Sequence, residues 1–214
     1  MLRYSYVIWD WNGTLLDDVD WCVNVINRML LRRKLKTFDG ICDYHEVFSF
    51  PVIDYYRKIG FDFEKEPFED LAVEYVEDYY SGSFKLHENA EDILRIIHEK
   101  GIKQAILSAS EINYLNAQLS GFDITKYFDE ILGISNILAG SKTEAGREFI
   151  KRNNVKNALF VGDTEHDFET AKMLGADCVL IARGHQSRER LMRLGAPVLD
   201  NITGVLEYLN LETG

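Results

Sequence analysis

The chain has 214 residues, of which 46% are hydrophobic, 12% aromatic and 28% charged. This composition excludes a disordered or fibrous chain, and the length suits one domain with an insertion or two small domains. Asp and Glu number 35 against 24 Lys and Arg, and the formal net charge of -11 argues against nucleic acid or an anionic membrane as a partner. A small anionic substrate stays compatible, because a metal ion can reverse the local field.

The cysteines and the start of the chain predict a cytoplasmic protein. Cys22, Cys42 and Cys178 are odd in number, far apart and without paired metal-ligand spacing, which is typical of reduced intracellular thiols. No apolar run approaches the roughly 18 to 20 residues that span a bilayer, and the first one, at residues 7–9, is too short for a signal peptide. We expect a monomer or homodimer without a nucleic acid or membrane partner.

Short apolar runs alternate with segments of helical period along most of the chain. Between the runs, residues 90–97 repeat apolar side chains at helical spacing, Ser141 and Glu144 form a capping-box pattern for a helix to about Asn153, and Gly175 closes another helix. The alternation predicts an α/β fold, a Rossmann-like doubly wound parallel sheet with helices on its faces. The predicted strands are residues 6–10, 104–108, 130–134, 158–162 and 177–182.

The region from Asp18 to about Lys85 interrupts this alternation. It lacks the pattern of a buried parallel strand, residues 19–30 form an apolar stripe of helical period, and further helical segments follow at 52–59 and 67–80. A single crossover between strands seldom needs more than one or two helices. We therefore predict a core domain of residues 1–16 and 86–214, interrupted by a helical domain of residues 17–85.

Polar side chains follow the first two predicted strands. The first strand runs into Asp10, with Asn12, Gly13 and Thr14 close behind, and the second runs into Ser108. Ligands of open α/β sheets bind beyond the carboxyl ends of strands, so Asp10 stands where a reactive group is expected. Ser108 there can donate a hydrogen bond to a phosphoryl oxygen. Each signal is weak alone, because carboxylates and hydroxyls at strand ends also form turns and cap helices.

Lys142 and two aspartates complete the candidate set. A lysine near a helix start is unfavourable for the helix dipole, which indicates a separate reason for Lys142, although a solvated surface lysine stays the alternative. The strand at 158–162 runs into Asp163, and Asp167 follows four residues later, so both carboxylates lie near one point if Asp167 opens a helix. Such oxygen ligands suit Mg²⁺. His166, which lies between them, is assigned no role.

In their order, these four segments resemble the motifs of the haloacid dehalogenase superfamily: a strand-end Asp-x-Asp-x-Thr, a strand-end Ser or Thr, a Lys, and Gly-Asp-x-x-x-Asp. The likeness covers nearly the whole chain, and the helical insertion resembles the helical cap of that superfamily. Residues 53–61 are similar to a cap segment of phosphoglycolate phosphatases and β-phosphoglucomutases. The resemblance implies a Mg²⁺-dependent phosphatase that acts on a small phosphorylated metabolite through an aspartyl-phosphate.

The resemblance also implies roles for the matched residues. Asp10 is the expected nucleophile, and Lys142 and Ser108 are expected to stabilise charge on the phosphoryl oxygens. The expected catalytic residues are Asp10, Asn12, Ser108 and Lys142. The expected substrate-binding residues are Gly13, Thr14, Ser108, Ala109 and Lys142. The expected Mg²⁺ site comprises Asp10, the main-chain carbonyl of Asn12, Asp163 and Asp167. Asp167 is expected to act beside Asp163, either through metal-bound water or by orienting Lys142.

One position departs from the family pattern. Asn12 stands where the phosphatases carry a second Asp, which protonates the leaving group and later activates water, and a carboxamide cannot exchange a proton near neutral pH. Lys142 also lacks the proline that often follows it in relatives.

Three alternatives to a phosphatase therefore stay open. A phosphotransferase of β-phosphoglucomutase type needs a lasting phosphoenzyme. A non-catalytic phosphate-binding sensor would keep the fold and the metal but not turnover. A carbon–phosphorus hydrolase of phosphonoacetaldehyde type needs a Schiff-base lysine from the cap, for which Lys34, Lys36, Lys58 and Lys65 are the candidates.

Overall fold

The protein is described by a computed structural model that covers residues 3–138 and 141–211. Its centre is a sheet of six strands in the order β3-β2-β1-β4-β5-β6, and every neighbouring pair is parallel. The strands are β1 Tyr6–Trp9, β2 Lys103–Glu111, β3 Glu130–Ile134, β4 Ala158–Gly162, β5 Asp177–Ile181 and β6 Val198–Leu199. The predicted α/β class and the five predicted strands are confirmed. The two-residue β6 is too short to leave a pattern in the sequence.

Helices cover both faces of the sheet and fill the segment between β1 and β2. The helix predicted from Ser141 and Glu144 begins one residue late, with Lys142 as its N-cap, although the Ser141 hydroxyl still accepts a hydrogen bond from the Thr143 N–H. The helices are α1 Val19–Arg32, α2 Ile41–Val47, α3 Val52–Lys58, α4 Phe68–Tyr80, α5 Ala90–Glu99, α6 Ile112–Leu119, α7 Thr143–Arg152, α8 Glu165–Leu174, α9 Arg188–Met192 and α10 Gly204–Tyr208. A 3₁₀ turn, Thr125–Tyr127, precedes β3.

Strand β1 is the centre of the sheet. It is buried along its whole length, and successive side chains point to opposite faces: Val7 and Trp9 pack into the core beside α5, Tyr6 and Ile8 into the core beside α7 and α8. Its neighbours are β2 on one side and β4 on the other, so the order of the strands reverses at β1. In a doubly wound sheet, this reversal opens a crevice at the carboxyl ends of the strands, where ligands bind.

Helices α1 to α4, here called the helical insertion (Val19–Tyr80), have a hydrophobic core of their own. Ile26, Met29 and Leu71 are among its fully buried members. The chain enters and leaves the insertion side by side, because the Asp17 N–H donates to the Lys85 carbonyl at 2.9 Å. The two segments that connect the insertion to the core therefore run next to each other beyond β1. The domain boundaries at residues 16/17 and 85/86 stay a prediction.

Two expectations about the whole chain can be compared with the described residues. None of the helices within them has both the length and the apolar character needed to cross a membrane. Cys22, Cys42 and Cys178 are free thiols, in line with the sequence-based expectation of reduced cysteines.

Candidate active site

Asp10 and Lys142 form a buried ion pair at the carboxyl end of β1. The Asp10 N–H continues the sheet by donating to the Val161 carbonyl at 2.8 Å, so the side chain is fixed at the point where the strand ends. Lys142 is only 1% exposed, and its ammonium contacts carboxylate oxygens of both Asp10 and Asp167. Burial alone would lower the pKa of Lys142, but the two carboxylates outweigh it and raise that pKa. Lys142 is therefore a charged, buried residue of the site, and the alternative of a solvated surface lysine is wrong.

Asp163 and Asp167 are held together by the start of α8. Thr164 is the N-cap, and it forms a reciprocal capping box with Asp167. One carboxylate oxygen of Asp167 accepts hydrogen bonds from the Asp163 and Thr164 N–H groups at 3.1 and 2.9 Å, and the other contacts Lys142 at 2.6 Å. Burial would raise the pKa of Asp167, but Lys142 and the Thr164 hydroxyl outweigh it, so the pKa is lowered. As the sequence predicts, Asp167 opens a helix, and it lies beside Asp163.

Three carboxylates converge at this point. Asp10, Asp163 and Asp167 each offer an oxygen, these oxygens lie within 4.8 Å of one another, and all three residues are buried. Burial and repulsion from the other two carboxylates hold the pKa of Asp10 well above its usual range, although Lys142 opposes the shift. Burial, with repulsion from Asp167, raises the pKa of Asp163 to about 6. A divalent cation would supply the positive charge that Lys142 alone does not, and an all-oxygen ligand set suits Mg²⁺.

Glycines and one threonine shape the surroundings of Asp163. Gly13 has a φ of +74°, and a Cβ on it would lie 2.4 Å from a carboxylate oxygen of Asp163, so both the turn and the close approach require glycine. The Thr14 hydroxyl donates to the other oxygen of Asp163 at 2.9 Å and is fully buried. Gly13 and Thr14 therefore help to position the Asp163 carboxylate. Their expected contact with substrate stays a prediction.

Asn12 is fixed by three hydrogen bonds. Its carbonyl oxygen accepts from the Ser110 hydroxyl at 2.8 Å, and its NH₂ group lies 2.8 Å from both an Asp18 carboxylate oxygen and the Tyr79 hydroxyl. Ser108 lies beneath this network at 1% exposure, and its hydroxyl accepts from the Ser110 N–H at 3.0 Å. The position at which relatives place an acid therefore carries an amide whose hydrogen-bonding groups are already satisfied.

A buried Asp18–His185 pair adjoins Asn12, and sequence analysis missed it. The His185 Nε2 lies 3.5 Å from an Asp18 oxygen, its Nδ1 lies 2.8 Å from the Tyr44 hydroxyl, and its backbone N–H donates to Asp163 at 2.6 Å. Burial would lower the pKa of His185, but Asp18 outweighs it and raises the pKa to about 9. His185 lies four residues after the end of β5. Its position near the carboxyl end of a predicted strand is the feature of the sequence that could have indicated it as a site residue.

This pair predicts a pH-dependent stability. The folded pKa of His185 lies above the usual value, so its contribution is complete below about pH 6.5 and is lost as the pH rises through about 9. We expect the free energy of unfolding to fall by up to about 3 kcal/mol over this window, and to fall less in His185→Gln. Urea unfolding of both proteins at several pH values, without added metal, measures the difference. Parallel pH profiles for the two proteins would contradict this account of the pair.

A cavity separates the helical insertion from the carboxyl edge of the sheet. It has a volume of about 1150 Å³, including its opening to solvent. His166, which was assigned no role, lines it and stacks on Phe50 with ring centroids 4.4 Å apart. Of the candidate residues, those lining the cavity are Asp10, Asn12, Ser108, Ala109, Lys142, Asp163 and Asp167. Within the described ranges, its lining does not include Gly13 or Thr14.

The insertion is closed over this cavity. His45 contacts the Gly184 carbonyl at 2.9 Å, the Arg190 guanidinium donates to the Phe48 carbonyl at 2.7 Å, and the Tyr44 hydroxyl meets His185. These contacts join the insertion to the loop after β5 and to α9. A closed arrangement of this kind shields a reacting group from bulk water.

Comparison with known proteins identifies the family. A family model described as haloacid dehalogenase-like hydrolase matches residues 7–181. The chain belongs to this family. The matched region contains β1 to β5 and therefore the whole carboxylate and lysine cluster of this hydrolase.

Individual relatives of this hydrolase agree with that assignment. A phosphoglycolate phosphatase from Pseudomonas fluorescens is 22% identical, and the alignment covers 94% of this chain and 78% of the relative. A haloacid dehalogenase-like family protein from Streptococcus pneumoniae has the same fold, with a TM-score of 0.82, 16% identity and coverage of 96% and 98% of the two chains. A candidate β-phosphoglucomutase from Thermotoga maritima is also similar, with a TM-score of 0.67, 18% identity and coverage of 96% and 98%.

Proposed function

We propose that this hydrolase is a Mg²⁺-dependent phosphatase that cleaves a small phosphate monoester through an aspartyl-phosphate on Asp10. The observation that supports it best is the cluster of three buried carboxylates around Lys142 at the carboxyl edge of the sheet. Asp10, Asp163 and the Asn12 main-chain carbonyl would hold Mg²⁺, which would offset the repulsion between a carboxylate and a phosphoryl group. The names of the Pseudomonas relatives agree with a phosphatase.

The proposed reaction has two steps. A carboxylate oxygen of Asp10 attacks phosphorus, and the bond between phosphorus and the ester oxygen breaks, so that an alkoxide or phenolate leaves with the electron pair of that bond and takes up a proton from water. Water then attacks the acyl phosphate, which releases inorganic phosphate and restores the Asp10 carboxylate. Lys142 and the Ser108 hydroxyl donate hydrogen bonds to the phosphoryl oxygens, whose charge grows during transfer.

Asn12 makes a phosphotransferase the second candidate. No proton can come from the amide, so we expect slow loss of the aspartyl-phosphate to water, which is what a mutase of β-phosphoglucomutase type requires. If this loss of catalysis were complete and no turnover occurred, the protein would be a phosphate-binding sensor. The carbon–phosphorus hydrolase is not favoured, because Lys34, Lys36, Lys58 and Lys65 are all exposed and none of them lines the cavity.

A panel of phosphate monoesters tests the proposed function. We expect phosphate release with Mg²⁺ from phosphoglycolate, sugar phosphates, acetyl phosphate or nitrophenyl phosphate, and none after EDTA treatment. Release that returns on adding Mg²⁺ supports the phosphatase. Transfer of the phosphoryl group to a second sugar phosphate favours the mutase, and binding of phosphate without turnover favours the sensor.

The two α8-side carboxylates are expected to contribute unequally to metal binding. Both oxygens of Asp167 are occupied by Lys142, Thr164 and main-chain N–H groups. Among the described residues, those of Asp163 accept only from the Thr14 hydroxyl and the His185 N–H. We therefore expect Asp163→Asn to weaken Mg²⁺ binding at least tenfold more than Asp167→Asn does. Isothermal titration with MgCl₂ measures this, with the exposed Asp123→Asn as control. Equal affinities in all three variants would contradict the metal assignment.

A further inference from the structure

The helical insertion lines the cavity with aromatic rings. Phe48 and Tyr55 have ring centroids 5.3 Å apart, and Tyr80 stacks on Tyr114 of the core at 4.5 Å. Together with Phe50 and Tyr75, these rings make most of the lining apolar. Aromatic surfaces of this kind bind flat apolar groups.

The cavity offers no cation for a carboxylate on the leaving group. Of the described residues that line it, Lys142 is the only lysine or arginine, and it already contacts Asp10 and Asp167. His185 is paired with Asp18, and both of its ring nitrogens have partners. His166 stacks on Phe50, with ring centroids 4.4 Å apart. A substrate carboxylate buried here would stay unpaired, at a cost of several kcal/mol.

One polar group in this lining has no partner. Tyr55 is 3% exposed, and its hydroxyl makes no hydrogen bond to any of the described residues. An unpaired buried hydroxyl is uncommon because it loses its hydrogen bonds to water. That hydroxyl oxygen also has almost no accessible surface, so it is closed to a ligand in the cavity, and Tyr55 contributes to the lining through its ring.

Asn12 restricts the leaving group on separate grounds. Its NH₂ group is engaged by Asp18 and Tyr79, and an amide has no proton to give to a departing oxygen. An alkoxide is far more basic than a phenolate and leaves poorly without protonation, whereas a phenolate, with a conjugate-acid pKa of about 10, leaves far more easily. The residue at position 12 and the aromatic lining thus favour the same class of ester.

We infer that the substrate of this hydrolase is an aryl phosphate: a phosphate monoester of a phenol that carries no carboxylate. The inference rests on the proposed function, since it assumes that Asp10 takes the phosphoryl group. It replaces phosphoglycolate with an aromatic ester as the preferred substrate. The ring lies against Phe48, Tyr55 and the Tyr80–Tyr114 stack, and the phosphoryl group faces Lys142.

Four substrates separate the contribution of the aromatic ring from that of leaving-group basicity. We compare kcat/KM with Mg²⁺ for 2-naphthyl phosphate, 2-phenylethyl phosphate, phosphoglycolate and acetyl phosphate. The first two carry rings but differ in leaving-group basicity, and acetyl phosphate has a good leaving group without a ring. We expect 2-naphthyl phosphate to exceed phosphoglycolate by about 100-fold or more, with 2-phenylethyl phosphate between them. Equal or faster turnover of phosphoglycolate would overturn the inference while leaving the phosphatase intact.

Acetyl phosphate keeps the two proposals distinguishable. If no substrate, acetyl phosphate included, is hydrolysed and Asp10 is never phosphorylated, the proposed function fails. If acetyl phosphate is hydrolysed in an Asp10-dependent way but 2-naphthyl phosphate is not preferred over phosphoglycolate, only the aryl phosphate inference fails.

A substitution tests the lining itself. Val52→Lys places a cation in the lining, and we expect it to raise phosphoglycolate turnover relative to 2-naphthyl phosphate at least tenfold. Val73→Lys, on the exposed side of α4, is the matched control. An unchanged substrate ratio in a folded Val52→Lys would contradict the assignment.

Discussion

Asp10→Asn is expected to lower turnover by on the order of 10⁴-fold or more and to abolish the phosphoenzyme, because it removes the proposed nucleophile and one metal ligand. The substitution should not unfold the protein. Asp10 is a buried carboxylate whose pKa is raised by burial and by the carboxylates of Asp167 and Asp163, so a neutral amide of the same shape relieves repulsion. We expect the free energy of unfolding to stay the same or to rise. Steady-state phosphate release and urea unfolding measure the two quantities.

Asp200→Asn is a suitable control for that experiment. It makes the same chemical change at a side chain that is 83% exposed, where it pairs only with Arg188. We expect wild-type turnover. An Asp10→Asn protein that retains phosphate release within tenfold of the wild type would refute the proposed role of Asp10.

Asn12→Asp is expected to raise turnover of alkyl phosphates by roughly 10²- to 10⁴-fold and that of aryl phosphates by less than about tenfold. General acid–base assistance contributes a factor of this size where the leaving group needs a proton, and little where it does not. The structure adds a cost, because the new carboxylate would lie about 2.8 Å from an Asp18 oxygen. We therefore expect the free energy of unfolding to fall by about 1 to 3 kcal/mol. Substrate-dependent kcat values and urea unfolding of the variant and the wild type check both parts.

The double variant Asn12→Asp/Asp18→Asn separates the chemical gain from the repulsion. It keeps one carboxylate and one amide in the pair and should recover most of the stability lost in the single variant. Asn157→Asp, an exposed position after α7, is the matched control. Because Asn12-Gly13 is prone to deamidation, intact mass must show an amide at position 12 in the wild type. If residue 12 is an amide and Asn12→Asp gives no gain on alkyl phosphates, another group supplies the proton.

The α/β core and the catalytic candidates could be predicted because local patterns encode them. Asp10 and Asp163 each follow a buried strand directly, and the apolar run of that strand is visible in the sequence. The strand ends meet at one edge because the sheet is parallel. The role of Lys142 could be predicted only with the family resemblance as well, since a lysine at a helix start can also be an ordinary solvated surface residue.

The remainder of the site depends on contacts between distant segments. The partners of the His185 ring come from distant segments: Tyr44 belongs to the insertion, and Asp18 lies at the start of α1. The family resemblance makes Thr14 an expected substrate-binding residue. The structure adds a contact that the sequence does not show, in which the Thr14 hydroxyl donates to Asp163. The aromatic lining was also hidden, because Phe48, Tyr55 and other rings of the insertion have the spacing of ordinary helix cores.

The most direct test of the account is to identify the phosphorylated residue during turnover. The wild-type protein, with Mg²⁺ and 2-naphthyl or acetyl phosphate, is quenched in acid at short times and digested, and the peptides are analysed by mass spectrometry. We predict one added phosphoryl group on the peptide that contains Asp10, formed within one turnover and, because Asn12 cannot activate water, accumulating as a burst. Continued phosphate release with Asp10 unmodified at every time point, or with the phosphoryl group on another residue, would contradict the account.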